Sequence, residues 1–417
     1  MGKKRKKNIY VGPNLTDEHN FYIGQKLLIE IDRYDRNGVG LGFYKKIPVL
    51  IFNSIIGEKI EVSVEKIFPE KIIGENIEIK NPSKKRIDIV CENFGNCTGC
   101  QWLHIKYEDQ LQMKKEIVIE NLNKNELFID ELVENTIQSE KTFYYRNHAR
   151  FTVRKNEENE ENKGMGFVNL LNRKWTNINH CKIMNKTINE RMNILKNNLE
   201  GKTQVSIRGS DTTKSYLIQP KFENLSIETG QKYYKEKIFN NSYQVASPSF
   251  FQVNISQVEK IFNVLFDSNV FFNDQITVDA YCGVGTFTCL ISPYVKKVYG
   301  IEESASAVLD AKENSKKYKN IQYLQGKTEE VLLDIEEKID VLLLDPPRIG
   351  CDDKVLEIIS KIKPQTVLLI SCSPENFAID ISKLIKLSYK VKKIIPFDMF
   401  PQTHHVEVVG LLDLDHE

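Results

Sequence analysis

Thr366-Val367-Leu368-Leu369-Ile370-Ser371-Cys372-Ser373-Pro374 decides how this chain is read. Thr366 to Ile370 is apolar without alternation, the pattern of a strand buried on both faces of a parallel sheet. Pro374 stops the strand and forces a turn. A thiol at the carboxyl end of such a strand sits on the rim where open α/β sheets bind ligands. A solitary cysteine is usually a small buried hydrophobe. The company of Cys372 argues otherwise: a Gly-rich loop upstream, Asp345-Pro346-Pro347-Arg348 one strand earlier, and His405-Val406-Glu407 downstream. A nucleophile followed by a base is the minimum for covalent catalysis.

Working outward, a helix is expected over 255–267, and the chain is α/β from Gln275. Strands are expected at 276–279, 298–302, 321–324, 341–344, 366–370, 391–395 and 406–412. Tyr281-Cys282-Gly283-Val284-Gly285-Thr286-Phe287 is the Gly-rich turn after the first of them. Such a turn lets the backbone approach a ligand at a helix N-terminus. Glu302 lies 19 residues beyond Gly283, where an acid can hold ribose hydroxyls. Asp279 precedes the turn, and the third glycine of a dinucleotide fingerprint is missing. That pattern favours S-adenosylmethionine, and seven strands match a class I methyltransferase sheet.

The Pro-Pro loop at Asp345 does not choose the chemistry, because amine methyltransferases also use one. Cys372 does. An amine already has a lone pair and needs no nucleophile from an enzyme. Carbon 5 of a pyrimidine has none. A thiolate adding to carbon 6 makes carbon 5 able to attack a methyl sulfonium, after which a base must remove the carbon-5 proton. Glu407 is the available acid. A free thiol has a pKa of about 8.5, so local stabilisation of a Cys372 thiolate is expected. The target base must leave its stack or be offered in a loop.

Ahead of this domain, 26–31, 47–52, 59–64 and 72–79 read as short strands, with Asp35-Arg36-Asn37-Gly38-Val39-Gly40-Leu41-Gly42 as a hairpin. Their spacing suggests a small barrel of the OB kind, a common single-strand nucleic-acid module. The pattern resembles a TRAM domain, the RNA-binding barrel at the front of RNA-modifying enzymes. Cys91, Cys97 and Cys100 follow within ten residues, a metal-ligand spacing. Cys181 would complete four thiolates for an iron–sulfur (4Fe-4S) or structural zinc site. His104 or His180 would instead make a zinc site with three thiolates. A helix is expected at 106–126. Tyr144 to Arg154 interleaves arginines with aromatics on a strand, offering phosphate contacts and stacking faces. A further helix is expected at 185–199, with strands near 203–208 and 215–219. The acidic run Glu157 to Glu161 reads as an exposed hairpin tip.

The chain has 417 residues, 41% apolar and 28% charged, which is ordinary for a soluble multidomain protein. No apolar run is long enough to suggest a membrane span. Met1-Gly2-Lys3-Lys4-Arg5-Lys6-Lys7 lacks the apolar core of a secretory signal. A cytoplasmic, monomeric protein is expected. Its eight cysteines are then unlike structural disulfides. Residues 1–90 hold 17 Lys and Arg against 12 Asp and Glu, whereas 260–417 hold 18 against 24, so an anionic partner is expected on the front.

Taken together, Cys91, Cys97, Cys100 and Cys181, the Asp279-to-Gly285 loop, Asp345-Pro346-Pro347-Arg348, Ser371-Cys372 with Pro374, and Pro401, Thr403, His405 and Glu407 resemble the RNA uracil-C5 methyltransferase family. Nearly the whole chain is covered. The barrel and cysteines are most similar to the branch that methylates 23S ribosomal RNA and carries a 4Fe-4S cluster. The resemblance implies Cys372 as nucleophile and Glu407 as proton acceptor. It places Gln252, Tyr281, Thr286, Glu302 and Asp345 on S-adenosylmethionine positions, beside Gly283 and Gly285 of the loop. Thr286 stands where several members have Asn, and Ser373 replaces a frequent Asn. The expected layout is an OB-like barrel at 16–80, an α+β central domain with the cysteine cluster at 81–250, and a Rossmann-like methyltransferase domain at 251–417. The rival readings are the same reaction on transfer RNA, a non-catalytic RNA-binding factor and, third, a redox carrier.

Overall fold

A computed structural model describes residues 12–156 and 159–415. The Lys3-to-Lys7 tail and the Glu157-to-Glu161 hairpin tip lie wholly or partly outside the described residues. The chain forms two compact units. One runs up to Gln110 and takes in Gly166–Asn177 and Gln402–His404; the other comprises Leu111–Met165, Ile178–Pro401 and His405 onward.

In the first unit, β1 (Lys26–Tyr34), β2 (Gly40–Tyr44), β3 (Ile47–Ile51), β4 (Lys59–Phe68) and β5 (Lys71–Ile79) close a barrel of order β1-β2-β3-β5-β4. The β3–β5 pairing is parallel and the others are antiparallel. Alternation builds its core: Leu27, Ile29 and Ile31 point inward from β1 and meet Val49, Ile51, Ile60, Val62 and Ile72. Sequence reading found four of these strands and took β2 for the far side of a hairpin. Val39-Gly40-Leu41-Gly42 carries two glycines, which hide a strand from propensity.

Helix α1 (Tyr107–Lys124) follows. Then come β6 (His148–Asn156), β7 (Asn159–Val168), β8 (Trp175–Asn177), α2 (Lys186–Leu195), β9 (Gln204–Gly209) and β10 (Tyr216–Gln219). β9 pairs antiparallel with β6 and with β10. The hairpin β11 (Tyr233–Ile238) and β12 (Asn241–Ala246) was missed from sequence, and helix α3 (Ile255–Asp267) runs as expected.

The second unit centres on a seven-stranded sheet. It is built from β13 (Ile276–Ala280), β14 (Lys297–Glu302), β15 (Ile321–Gln325), β16 (Val341–Leu344), β17 (Thr366–Ser371), β18 (Tyr389–Phe397) and β19 (Glu407–Leu414). Its order is β15-β14-β13-β16-β17-β19-β18. Helices α4 (Thr286–Ile291), α5 (Ala305–Asn314), α6 (Thr328–Val331), α7 (Asp353–Ile362) and α8 (Pro374–Lys386) connect the strands. Both faces are covered. Leu342, Leu344, Val367 and Leu369 pack with residues of α1, α7 and α8; Val341, Leu343, Leu368 and Ile370 pack with residues of α3 and α4. Two-sided burial is why these strands read as unbroken apolar runs. Strand order reverses between β13 and β16, which opens a crevice at the carboxyl ends of the parallel strands. β19 runs antiparallel to β17, with Ser371 opposite Val408. The start of β19 therefore lies beside the end of β17. Among the described residues no helix is long and apolar enough to cross a membrane.

Candidate active site

The loop after β13 begins on Tyr281, whose φ of +68° turns the chain sharply out of the strand. Gly285, at φ +80°, then precedes α4, and a Cβ there would sit 2.6 Å from the Tyr323 hydroxyl. Only glycine fits both demands. Gly283 N–H donates to Glu302 Oε2 at 3.0 Å, and Ser304 N–H donates to Glu302 Oε1 at 2.7 Å. The carboxylate that ends β14 is thus oriented by backbone on both oxygens. Thr286 is buried as the first residue of α4.

Three acidic side chains cross the rim. Asp279 is buried and accepts from Thr288 Oγ1 at 2.5 Å; burial pushes its pKa up to about 7, and the Glu302 charge adds to the rise. Asp345 follows β16 and accepts from Gln252 Nε2 at 3.3 Å. Desolvation, then the Asp279 charge, pushes it above the carboxylate range. Glu407 is the first residue of β19 and 4% exposed. Burial and then Asp345 push it well above its ordinary value, with Arg348 opposing. Carboxylates that repel one another in this way leave a site short of positive charge. The donors and acceptors fit a cationic, polyhydroxylated ligand such as S-adenosylmethionine. The chain would hold it with the Gly283–Gly285 loop, Tyr281, Glu302, Asp345 and Gln252.

Cys372 is half-buried just past β17. Ser373 caps α8 by accepting from Asn376 N–H at 3.4 Å, and Pro374 opens the helix. Pro374 therefore does more than end a strand: its fixed φ starts the next helix. Contrary to the expected stabilised thiolate, the surroundings of Cys372 disfavour its charge on balance. Burial raises the Cys372 pKa, and the Glu407 and Asp345 charges raise it further. Arg348, by charge and by a hydrogen bond to the sulfur, pulls the other way. The sequence marks Arg348 only as the end of the Asp345-Pro346-Pro347-Arg348 motif, with no role of its own. Its Nη2 lies 3.3 Å from His405 Nδ1, and its carbonyl accepts from Asn376 Nδ2 at 2.6 Å. Its position directly after the stiff Pro346-Pro347 was the available signal. Gln252, Asp345, Arg348, Cys372, His405 and Glu407 are thus brought together on one rim.

The cysteine expectation fares differently. Cys91, Cys97 and Cys100 are half-buried in a turn of the first unit, where Cys97 N–H donates to the Asn93 carbonyl at 2.7 Å. Cys181 belongs to the second unit, where Asn189 accepts from its N–H at 2.9 Å. Among the described residues no group of three or more His, Cys, Asp or Glu is arranged to hold a metal ion. His104 Nε2 is 3.1 Å from the Ser54 carbonyl, and burial pushes its pKa down to about 4. His180 lies edge-on to Tyr144.

The basic strand is β6. His148 on it is held neutral: burial, then Arg208, Arg146 and Arg150, push its pKa down to about 4. That cluster of guanidinium groups is an electrostatic footprint for an anion.

Known proteins resemble this chain in sequence and in fold. The family described as tRNA (uracil-5-)-methyltransferase matches residues 223–414. An uncharacterised RNA methyltransferase of Bacillus anthracis is 29% identical over 95% of this chain and 98% of its own length. One of Clostridium acetobutylicum is 29% identical over 92% and 96%. Among solved structures, the tRNA (uracil-54, C5)-methyltransferase of Pyrococcus abyssi, in complex with S-adenosyl-L-homocysteine, superposes with a TM-score of 0.71. It is 21% identical and covers 92% of this chain and 99% of its own, a likeness of fold.

Proposed function

We propose that this chain is a member of the RNA uracil-C5 methyltransferase family and that it methylates carbon 5 of a uridine in 23S ribosomal RNA through a covalent adduct with Cys372. The observation that carries this reading is the meeting of Cys372, Glu407 and Arg348 on the rim beside Asp345. S-adenosylmethionine supplies an electrophilic methyl group on a positively charged sulfur. Arg348 opposes the rise in the Cys372 pKa; the thiol gives up its proton to solvent and the thiolate adds to carbon 6 of the uracil. The carbon 5 so activated takes the methyl group, and S-adenosylhomocysteine is left. Glu407, in its ionised form, accepts the carbon-5 proton, the double bond re-forms and the thiolate leaves. Desolvation of Glu407 makes it a stronger base than a solvated carboxylate. The acidic rim, short of positive charge, favours a cationic cofactor.

In this reading 16–80 is a TRAM-like RNA-binding barrel, 81–250 the central domain and 251–417 the methyltransferase domain. The 23S target rests on the likeness of the barrel and of Cys91, Cys97, Cys100 and Cys181 to that branch. The description of the matched family favours transfer RNA as the second reading. A single experiment separates them. The protein is mixed with S-adenosylmethionine and either a 5-fluorouridine 23S fragment or a 5-fluorouridine transfer RNA, then run on a denaturing gel. Fluorine replaces the proton that Glu407 must remove, so the adduct persists. A shifted band with 23S that Cys372→Ala abolishes is the expected result. A band with transfer RNA alone moves the substrate. No band with either favours a non-catalytic RNA-binding factor.

A further inference from the structure

Between Asp398 and Glu407 the chain is held by buried polar groups, and their layout bears on the proton-abstraction step. Lys114 and Asp398 form an ion pair with both side chains 0% exposed. Lys114 Nζ also donates to the Phe400 carbonyl at 3.1 Å, Asn254 Nδ2 to the Met399 carbonyl at 3.2 Å, and the Tyr145 hydroxyl to the Pro401 carbonyl at 3.1 Å. The next three residues, Gln402–His404, pack within the first unit. There Gln110 and Gln402 exchange two bonds: Gln110 Nε2 donates to Gln402 Oε1 at 3.0 Å, and Gln402 N–H donates to Gln110 Oε1 at 3.1 Å. Trp102 N–H donates to the Gln402 carbonyl at 3.0 Å, and its indole N–H to the Gly38 carbonyl at 3.1 Å. Gly38 is the turn glycine of the β1–β2 hairpin, at φ +72°; a Cβ there would lie 2.6 Å from His404 Cγ. His405, beside Arg348, and Glu407 follow within three residues.

Phe397, directly before Asp398, is paired with Glu407 across β18 and β19. An isolated stabilising contact would not need so much buried polarity. A buried ion pair adds little net stability, because desolvation offsets its attraction. What such a network does supply is one geometry, since each lost bond strands a buried polar group.

We propose that Lys114, Tyr145 and Asn254 are positioning residues for Glu407: they fix the segment 398–401, which follows the cross-strand partner of Glu407, so that the base reaches the carbon-5 proton. This rests on the reading of Glu407 given above.

The test uses full-length protein, S-adenosylmethionine and the RNA shown to be its substrate, with ordinary uridine. Wild type releases its product, whereas Glu407→Gln accumulates a protein–RNA adduct that survives a denaturing gel. Lys114→Met and the gentler Tyr145→Phe are expected to accumulate the same adduct. Their kcat falls by about tenfold to a hundredfold, as expected for a misplaced group, while KM stays near the wild-type value. A rise in KM without adduct, in a variant that melts cooperatively, overturns the proposal. So does wild-type turnover in Tyr145→Phe, whatever Lys114→Met does to folding. Absence of adduct in Glu407→Gln, with wild type active, removes the role of Glu407 itself and the inference with it. An inactive wild type fails the functional reading instead.

Discussion

Glu58 in the barrel and Glu407 in the seven-stranded sheet are both sealed from water, at 0% and 4% exposure, and their surroundings treat the charge in opposite ways. Burial pushes Glu58 up, but Arg86 grips both of its oxygens at 3.0 and 2.6 Å, and the N–H groups of Ser83 and Ile55 donate at 2.9 and 2.8 Å. The net result is a pKa below the usual carboxylate range. Glu407 has burial and the Asp345 charge against it and Arg348 alone pulling the other way. A buried acid whose charge is matched on the spot is a structural tie. One left unmatched is a group held ready for something that arrives from outside.

The largest expected effect separates the two. Glu407→Gln should lower product formation by about a hundredfold to ten-thousandfold and leave the denaturant midpoint at or above that of wild type. Glu58→Gln should do the reverse. It should lower unfolding stability by about 3 kcal/mol, as for removing one partner of a buried pair. If Glu407→Gln costs stability and leaves turnover intact, the contrast between the two acids collapses.

Next comes Arg348, the cation that opposes the rise in both Cys372 and Glu407. With Arg348→Gln both pKa values rise. The acid limb of the pH–rate profile should therefore move toward higher pH, with a loss of about tenfold or more at pH 7. A limb that stays in place would show that neither group controls the rate.

These same groups mark where sequence reading stopped. The strands of the large sheet were legible because two-sided burial writes itself as unbroken apolar runs, and Cys372, Glu407 and the Gly-rich loop were legible by their places on them. The β11–β12 hairpin was not. Its inward positions are Tyr234, Glu236 and Ile238, so a buried acid interrupts the alternation that announces a strand. The direction of the Cys372 shift was also illegible. It depends on Glu407 and Asp345, which lie 35 and 27 residues away along the chain and are brought close by the register of β17 against β19 and β16.

A smaller effect concerns stability against pH. Glu58 contributes stability that is present above the unfolded carboxylate value of about 4.3 and lost as pH falls through its lower folded value. Asp279 does the opposite. Between about pH 4 and its folded value of about 7 the native protein holds a proton that the unfolded chain has released, so stability falls as pH rises through that window. Asp345 shares this direction. Asp345→Asn should therefore raise the melting temperature of the cofactor-free protein at pH 8, by roughly 2 °C or more, and by less at pH 5. An equal change at both pH values would show that the gain is not relief of a buried charge.

The smallest expected effect tests whether the mismatch is confined to the carboxylates. Ser373 adjoins Cys372, yet its hydroxyl makes an ordinary helix cap, long at 3.4 Å to Asn376 N–H and 3.2 Å from Asn376 Nδ2. Ser373→Ala should cost about 0.5 kcal/mol, the low end for a lost cap, and Ser373→Asn should restore it, since Asn caps as well as Ser. Turnover should change by less than about threefold in either, because a loss of that size lets the helix end fray without moving β17. A drop in turnover much larger than the change in stability would mean that the cap aims the thiol. The backbone around Cys372, and not the acids alone, would then be part of what the site holds ready.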